Sequence, residues 1–160
     1  ALPRYFGYGK GVTAYSWTSD QLSQFGNKVI PSTLRDATYV LDAILDNETD
    51  LDIAEHTTDT SGYTELIFGL FGLLGLTFSP RIKDLADQQL YRPVGFELGD
   101  FDLLKPHLNK VLGEATITGG WDEMLRVALS LKKGYCTASL LISKLQVYPR
   151  QHPITRALQE

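Results

Sequence analysis

The residues of this chain best suited to chemistry fall in one run, His56-Thr57-Thr58-Asp59-Thr60-Ser61-Gly62-Tyr63-Thr64-Glu65, where an acidic strand gives way to an apolar helix. Open α/β sheets gather ligands just outside the carboxyl ends of their strands, and Asp59 stands at such an end. A hard cation such as Mg²⁺ takes oxygen ligands, usually one or two carboxylates completed by water and phosphate oxygens. Asp59 has the chemistry for that role. An Asp before a helix is most often an N-cap, so on the residues alone capping is the leading role and metal binding the second. His56 lies an odd number of positions earlier and would face away from Asp59 on a regular strand, which makes it a structural histidine. Glu55 and Glu65 do not obviously converge on Asp59. A self-contained nuclease or phosphatase site would need at least two more carboxylates there. Ser, His and Asp are plentiful, but no Gly-x-Ser-x-Gly elbow occurs, so acyl transfer has no specific support.

Other candidate chemistry is thin. The single cysteine, Cys136, excludes an internal disulfide framework and favours a reducing compartment. With only His56, His107 and His152 to join it, it cannot readily build a zinc site. The formal net charge of −4 hides two blocks. Asp36 to Asp59 carries acids and no Lys or Arg, whereas Met124 to Gln159 carries Arg126, Lys132, Lys133, Lys144, Arg150 and Arg156 with no acid. The blocks are either solvated faces or a metal-binding side and a polyanion-binding side. The run Leu66–Leu76 is interrupted by glycines and too short to span a bilayer, and no leader opens the chain. The expectation is a soluble, cytoplasmic protein without a membrane partner.

The elements that must position Asp59 read as a layered α/β domain within 160 residues, enough for one core. Tyr5 to Gly11 is a glycine-punctuated hairpin or bulge; a strand follows it, so it is not a nucleotide loop. Val12–Thr18 is that strand, dense in β-branched and aromatic residues. A helix opens at Ser32 or Thr33 and presents Leu34, Ala37, Leu41, Ile44 and Leu45 at helical spacing. Leu51–Asp59 is a second strand. Asp59, Thr60 or Ser61 caps a buried helix over Tyr63–Leu74, whose glycines allow close approach to a sheet. Gly75 ends that helix in a left-handed cap, and Leu76–Phe78 is the next strand. Beyond Leu85 the chain changes character. A short helix is expected near Phe101–Leu112. Two more follow, over Trp121–Lys132 with an apolar face of Leu125, Ala128, Leu129 and Leu131, and over Cys136–Val147 with Leu140, Leu141 and Leu145. A last helical segment runs into Glu160. Both ends look cut.

Ordered along the chain, several segments resemble the catalytic domain of the Tn-three family of bacterial transposases. They include Arg4-Tyr5-Phe6-Gly7, Arg35-Asp36-Ala37-Thr38-Tyr39-Val40-Leu41-Asp42, Thr58-Asp59-Thr60-Ser61-Gly62-Tyr63-Thr64 and Phe78-Ser79-Pro80-Arg81-Ile82-Lys83-Asp84-Leu85. Trp121-Asp122-Glu123 and Thr155-Arg156-Ala157-Leu158-Gln159-Glu160 continue the series. The resemblance covers essentially the whole chain.

It implies a partial ribonuclease-H-like mixed α/β sheet with flanking helices over residues 1–85, and a mostly helical insertion over 86–160. It implies an Asp-Asp-Glu polynucleotidyl transferase in the parent protein, with Mg²⁺ or Mn²⁺ supporting in-line attack on DNA phosphodiesters during replicative transposition. Asp59 matches the second Asp. The first Asp would precede Ala1 and the Glu would follow Glu160, so the 160-residue chain is expected to be inactive and to hold no metal. Transposon-end and target DNA are the implied partners, and the parent would be a homodimer on DNA. Arg81 and Lys83, just past a strand end, are the nearest candidates for phosphate contact; Lys132, Lys133, Lys144 and Arg150 are further ones. The alternative is a non-catalytic DNA-binding module that uses the basic C-terminal helices, with Asp59 only capping a helix.

Overall fold

A computed structural model of the chain describes residues 11–31, 36–88, 90–97, 99, 102–108, 110–147 and 152–159. The expectations for Arg4–Gly7, for a cap at Ser32 or Thr33, for Leu34, for Arg150 and for Glu160 lie outside these residues.

The first strand forms where expected. β1 (Val12–Thr18) pairs antiparallel with β2 (Gln24–Pro31), from Val12 opposite Pro31 to a bulge at Trp17/Thr18. Alternation along β1 sends Tyr15 and Trp17 to one face, where their rings meet edge-on at 4.6 Å. Trp17 is buried, and its indole Nε1 donates to the Val40 carbonyl at 3.0 Å, fastening the hairpin to the next segment.

That segment is less helical than its spacing predicts. Only a 3₁₀ turn, Asp36–Thr38, and a single turn of α-helix, α1 (Asp42–Leu45), form among the described residues. The β-branched and aromatic run Thr38-Tyr39-Val40 is a poor helix former. The apolar positions nevertheless go inward, with Ala37, Val40, Leu41 and Ile44 all buried. Asp42 is buried as well. It forms an ion pair with Lys28 of β2, and its Oδ1 accepts from the Ser139 backbone N–H at 2.8 Å.

The strand expected over Leu51–Asp59 is regular only at β3 (Glu55–His56), which pairs parallel with β4 (Thr77–Phe78). The backbone ladder is longer than those four residues. Thr77, Ser79 and Arg81 donate in turn to the carbonyls of Ala54, His56 and Thr58 at 2.8–3.0 Å. The parallel pair needs a crossover, and α2 (Glu65–Leu74) supplies it. Its cap is Thr64, not Asp59, Thr60 or Ser61: Thr64 is extended, and its side chain accepts from the Ile67 N–H at 3.3 Å. The helix ends at Gly75 with φ 77°, the left-handed cap that the sequence predicts. Leu66, Ile67, Leu70 and Phe71 are buried. Its glycine contact is with a helix rather than a sheet, because Gly69 faces the backbone of Leu158.

A helix near Phe101–Leu112 does not form among the described residues. In its place are a 3₁₀ turn, Asp102–Leu104, and β6 (Lys110–Val111), which pairs parallel with β5 (Tyr91–Arg92). Pro106 lacks an N–H and steers the residue before it away from helical geometry.

The remaining helices are α3 (Glu114–Lys132), α4 (Ala138–Val147) and α5 (Pro153–Gln159). α3 starts well before the predicted Trp121, despite the poor helix formers Gly119 and Gly120. Close packing of Gly120 on Ala157 offsets that weakness. The buried face of α3 is Gly120, Met124, Val127 and Leu131. The predicted Leu125 and Leu129 point outward instead, at 39% and 56% exposure. On α4 the inward residues are Ala138, Ile142 and Leu145, while Leu140 is exposed. Several helical stripes on one helix can look apolar, and only the neighbour decides which is covered. One buried cluster joins the hairpin, α1 to α5 and their rings and methyls, from Trp17 through Phe71 and Met124 to Leu158. No helix of the described residues is long and apolar enough to cross a membrane.

Candidate active site

β3, α2 and β4 form a strand–helix–strand crossover that puts two chain turns side by side. Asp59 follows β3 and Arg81 follows β4, and the Arg81 N–H donates to the carbonyl of Thr58, the residue before Asp59. This is the carboxyl edge of a parallel pair, where ligands collect in open α/β sheets.

The turn itself is built by short polar side chains. The Asp59 carboxylate accepts at Oδ1 from both the Ser61 N–H, at 3.1 Å, and the Ser61 hydroxyl, at 2.8 Å. The Gly62 N–H donates to the Asp59 carbonyl at 3.3 Å, closing the turn. A Cβ at Gly62 would stand 2.6 Å from the Cβ of Thr58, so only glycine lets the chain fold back here. Asp59 is therefore held in an Asx-type turn and leaves helix capping to Thr64. It remains exposed to solvent, and its Oδ2 makes no hydrogen bond to the described residues.

A second carboxylate comes to the same place. Asp36 Oδ2 lies 3.4 Å from the Ser61 hydroxyl, which thus stands between Asp36 and Asp59. Both acids line a cavity of about 940 Å³ with Tyr15, Trp17, Glu55 and His56. The Tyr15 phenol is pushed up to about 12, first by burial and then by the negative charges of Asp36 and Asp59. Glu55 is engaged elsewhere, accepting from the Ser79 hydroxyl at 2.5 Å. Among the described residues, no three His, Cys, Asp or Glu side chains group closely enough to hold a metal ion. A self-contained carboxylate site is thus not assembled by the described residues, although two carboxylates approach each other across Ser61.

His56 is structural, as expected, but not fully satisfied. Its ring runs nearly parallel to those of Phe71 and Phe78, at 6.0 and 6.4 Å between centres, while these two stack on each other at 4.3 Å. Its Nε2 is buried without a hydrogen-bond partner among the described residues, and burial holds its pKa below the ordinary value.

Of the predicted basic contacts, Arg81 is adjacent to Asp59 through the backbone ladder, with its side chain exposed. Lys83 is exposed and pairs with Asp84 at 3.5 Å. Lys132, Lys133 and Lys144 are exposed on α3 and α4, and no hydrogen bond or ion pair of the described residues ties them to the Asp59 turn. Arg126, in the same basic block, pairs with Glu123 at 2.5 Å. Asp36 and Tyr15 carried no signal of their own in the sequence. Asp36 stands in the sequence as one acid of a block and within the family-like segment Arg35–Asp42, neither of which points to Asp59, and its approach to Asp59 is a tertiary contact.

The family described as Tn3 transposase DDE domain matches residues 1–160, the whole chain. This chain belongs to that family. Among curated relatives it is similar to the transposase for transposon Tn21 of Escherichia coli, 48% identical over 158 residues. It is also similar to the transposase for transposon Tn501 of Pseudomonas aeruginosa and that for Tn1546 of Enterococcus faecium, each 43% identical. These alignments cover 98–99% of this chain but only 16% of each relative. The Tn3 transposase DDE domain is thus represented here by a segment about one-sixth the length of those proteins.

Proposed function

We propose that this chain is the part of a DNA transposase that supplies one acid, Asp59, of an Asp-Asp-Glu site for strand cleavage and strand transfer in replicative transposition. The observation that carries the reading is the fixed carboxylate at the carboxyl edge of β3, in a chain that matches the Tn3 transposase DDE domain throughout. A ribonuclease-H-like sheet is the fold proposed for the parent domain; the β3–α2–β4 crossover is the part of it that supports the reading here.

The donor set suits Mg²⁺ or Mn²⁺. Asp59 offers Oδ2 to solvent, and Asp36 brings a second anionic oxygen source across Ser61. Two carboxylates this close repel each other, and a divalent cation between them would relieve that repulsion. When bound, such ions supply charge stabilisation and an activated oxygen nucleophile for in-line displacement at phosphorus. The residues of this chain do the holding. Ser61 aligns the Asp59 carboxylate, Gly62 allows the tight turn, and Arg81, on the neighbouring strand end, offers an exposed cation for a phosphate oxygen. The parent protein acts on transposon-end and target DNA as a homodimer in this reading, in the cytoplasm. The non-catalytic alternative gains no support: Arg126 is already neutralised by Glu123, and the Asp59 side chain does not cap α2.

Asp59→Ala in the parent transposase should abolish strand cleavage and transfer while DNA binding persists. Retained cleavage of transposon-end DNA would remove the role given to Asp59. The 160-residue chain alone should join no transposon-end DNA with either Mg²⁺ or Mn²⁺, because the other acids of the site are not among its residues.

A further inference from the structure

Beside the Asp59 turn, between α2, β5 and α5, lies a second cavity of about 470 Å³ that the reading above does not use. Its walls carry three aromatic rings, from Tyr63, Phe68 and Tyr91. Leu158 and Gly69 form part of its floor, and two carboxamides, Gln88 and Gln159, line it. Gln88 is oriented by donating from Nε2 to the Lys83 carbonyl at 3.2 Å, which leaves its Oε1 without a protein partner among the described residues. A neighbouring cavity of about 620 Å³ shares Tyr63, Glu65, Gln88 and Gln159. It adds Thr155, a residue 4% exposed whose hydroxyl is buried without a partner among the described residues.

Among the described residues the lining carries one acid, and basic residues flank it in the chain. Ile82 lines it and is flanked in sequence by exposed Arg81 and Lys83. Lys110 Nζ stands 5.7 Å from the centre of the Tyr91 ring. Glu65, itself exposed, is the anionic group of the lining, so a phosphate would be repelled there while a base bearing amino groups would not. Aromatic faces with a few amide donors and acceptors suit a flat heterocycle, and exposed Arg81, Lys83 and Lys110 offer cations to the backbone that carries it. We propose that this cavity is a pocket for a single unstacked nucleobase of DNA, whose flanking phosphates lie on Arg81, Lys83 and Lys110. The inference rests on the reading of the chain as part of a DNA transposase and adds a base-binding subsite at the start of the crossover helix that follows Asp59. An unpaired base arises where strands are cut and rejoined, and capturing it would hold the strand end in place.

The test uses the 160-residue chain and two labelled single-stranded DNAs of one length, one with bases throughout and one with abasic sugars at its centre. Fluorescence anisotropy should show the abasic strand bound about tenfold more weakly, the scale of one stacked base. Tyr91→Ala should weaken binding of the base-bearing strand by a similar factor and leave the abasic strand unchanged, while Tyr91→Phe, which keeps the ring, restores it. Equal affinity for the two strands, or a Tyr91→Ala variant that folds and binds both as before, would overturn the pocket but leave phosphate-directed DNA binding standing. Binding of neither strand would overturn the pocket and the DNA reading of this surface together.

Discussion

Gly69 of α2 and Leu158 of α5 meet through backbone: a Cβ built on Gly69 would stand 2.0 Å from the Leu158 carbonyl oxygen. The final helix is thereby seated on the crossover helix that follows Asp59, and Gly120 of α3 receives Ala157 from the same helix.

Two glycines of α2 should therefore respond to alanine with opposite signs. Gly69→Ala forces α5 off its seat and should cost about 1–3 kcal/mol or more. Gly72→Ala meets nothing within 4 Å and should stabilise by roughly 0.5–1 kcal/mol, because alanine loses less backbone freedom in a helix. Urea unfolding of the two variants checks both. Equal shifts would mean that α5 does not rest on Gly69.

Asp42 joins three elements at once. It sits on α1, pairs with Lys28 of β2 and accepts the Ser139 N–H in the first turn of α4. Asp42→Ala leaves a helix N–H unpaired and removes the ion pair, an expected loss of about 2 kcal/mol. Lys28→Met keeps the Ser139 bond but leaves the Asp42 carboxylate, only 4% exposed, without its counter-charge, and should cost a comparable amount. Hydrogen exchange at Ser139 should speed up in Asp42→Ala and not in Lys28→Met.

Stability should fall in mild acid through His56. Burial lowers the pKa of this imidazole in the folded chain, so the unfolded chain binds the proton first as pH drops. Its contribution is complete above the ordinary value of 6.5 and is lost as pH falls from there toward the folded pKa. His56→Leu should flatten the dependence of thermal stability on pH in that window. An unchanged slope in the variant would assign the effect to other groups.

Tyr15 reports on the two carboxylates. Its phenol titrates at about 12, with burial the largest cause and Asp36 and Asp59 the next. Asp36→Asn and Asp59→Asn should each move the ionisation to lower pH, while burial keeps it above the ordinary 10.0. A titration followed on the Tyr15 ring carbons by NMR checks this. If neither variant moved it, the carboxylates would not face the Tyr15 cavity.

The hairpin strand Val12–Thr18, the crossover from Glu55 to Phe78, the Gly75 cap and the exposed Asp59 at a strand end were all legible in residue types and spacing. Those features are local: β-branched runs, a glycine in the left-handed region and short polar residues at a turn act within a few residues of themselves. The order of motifs also revealed the family. Helix faces were not legible in the same way. Leu125 and Leu129 are as apolar as Met124 and Val127, yet it is the latter that α5 and the core cover. The role of Asp42, the shallow helicity of the segment before it, and the approach of Asp36 to Asp59 through Ser61 belong to the same class. They depend on which distant surfaces meet, and a carboxylate's partner across many residues is chosen by packing, not by spacing. The sequence by itself determined where the candidate acid lies. Tertiary structure alone decided what stands beside it.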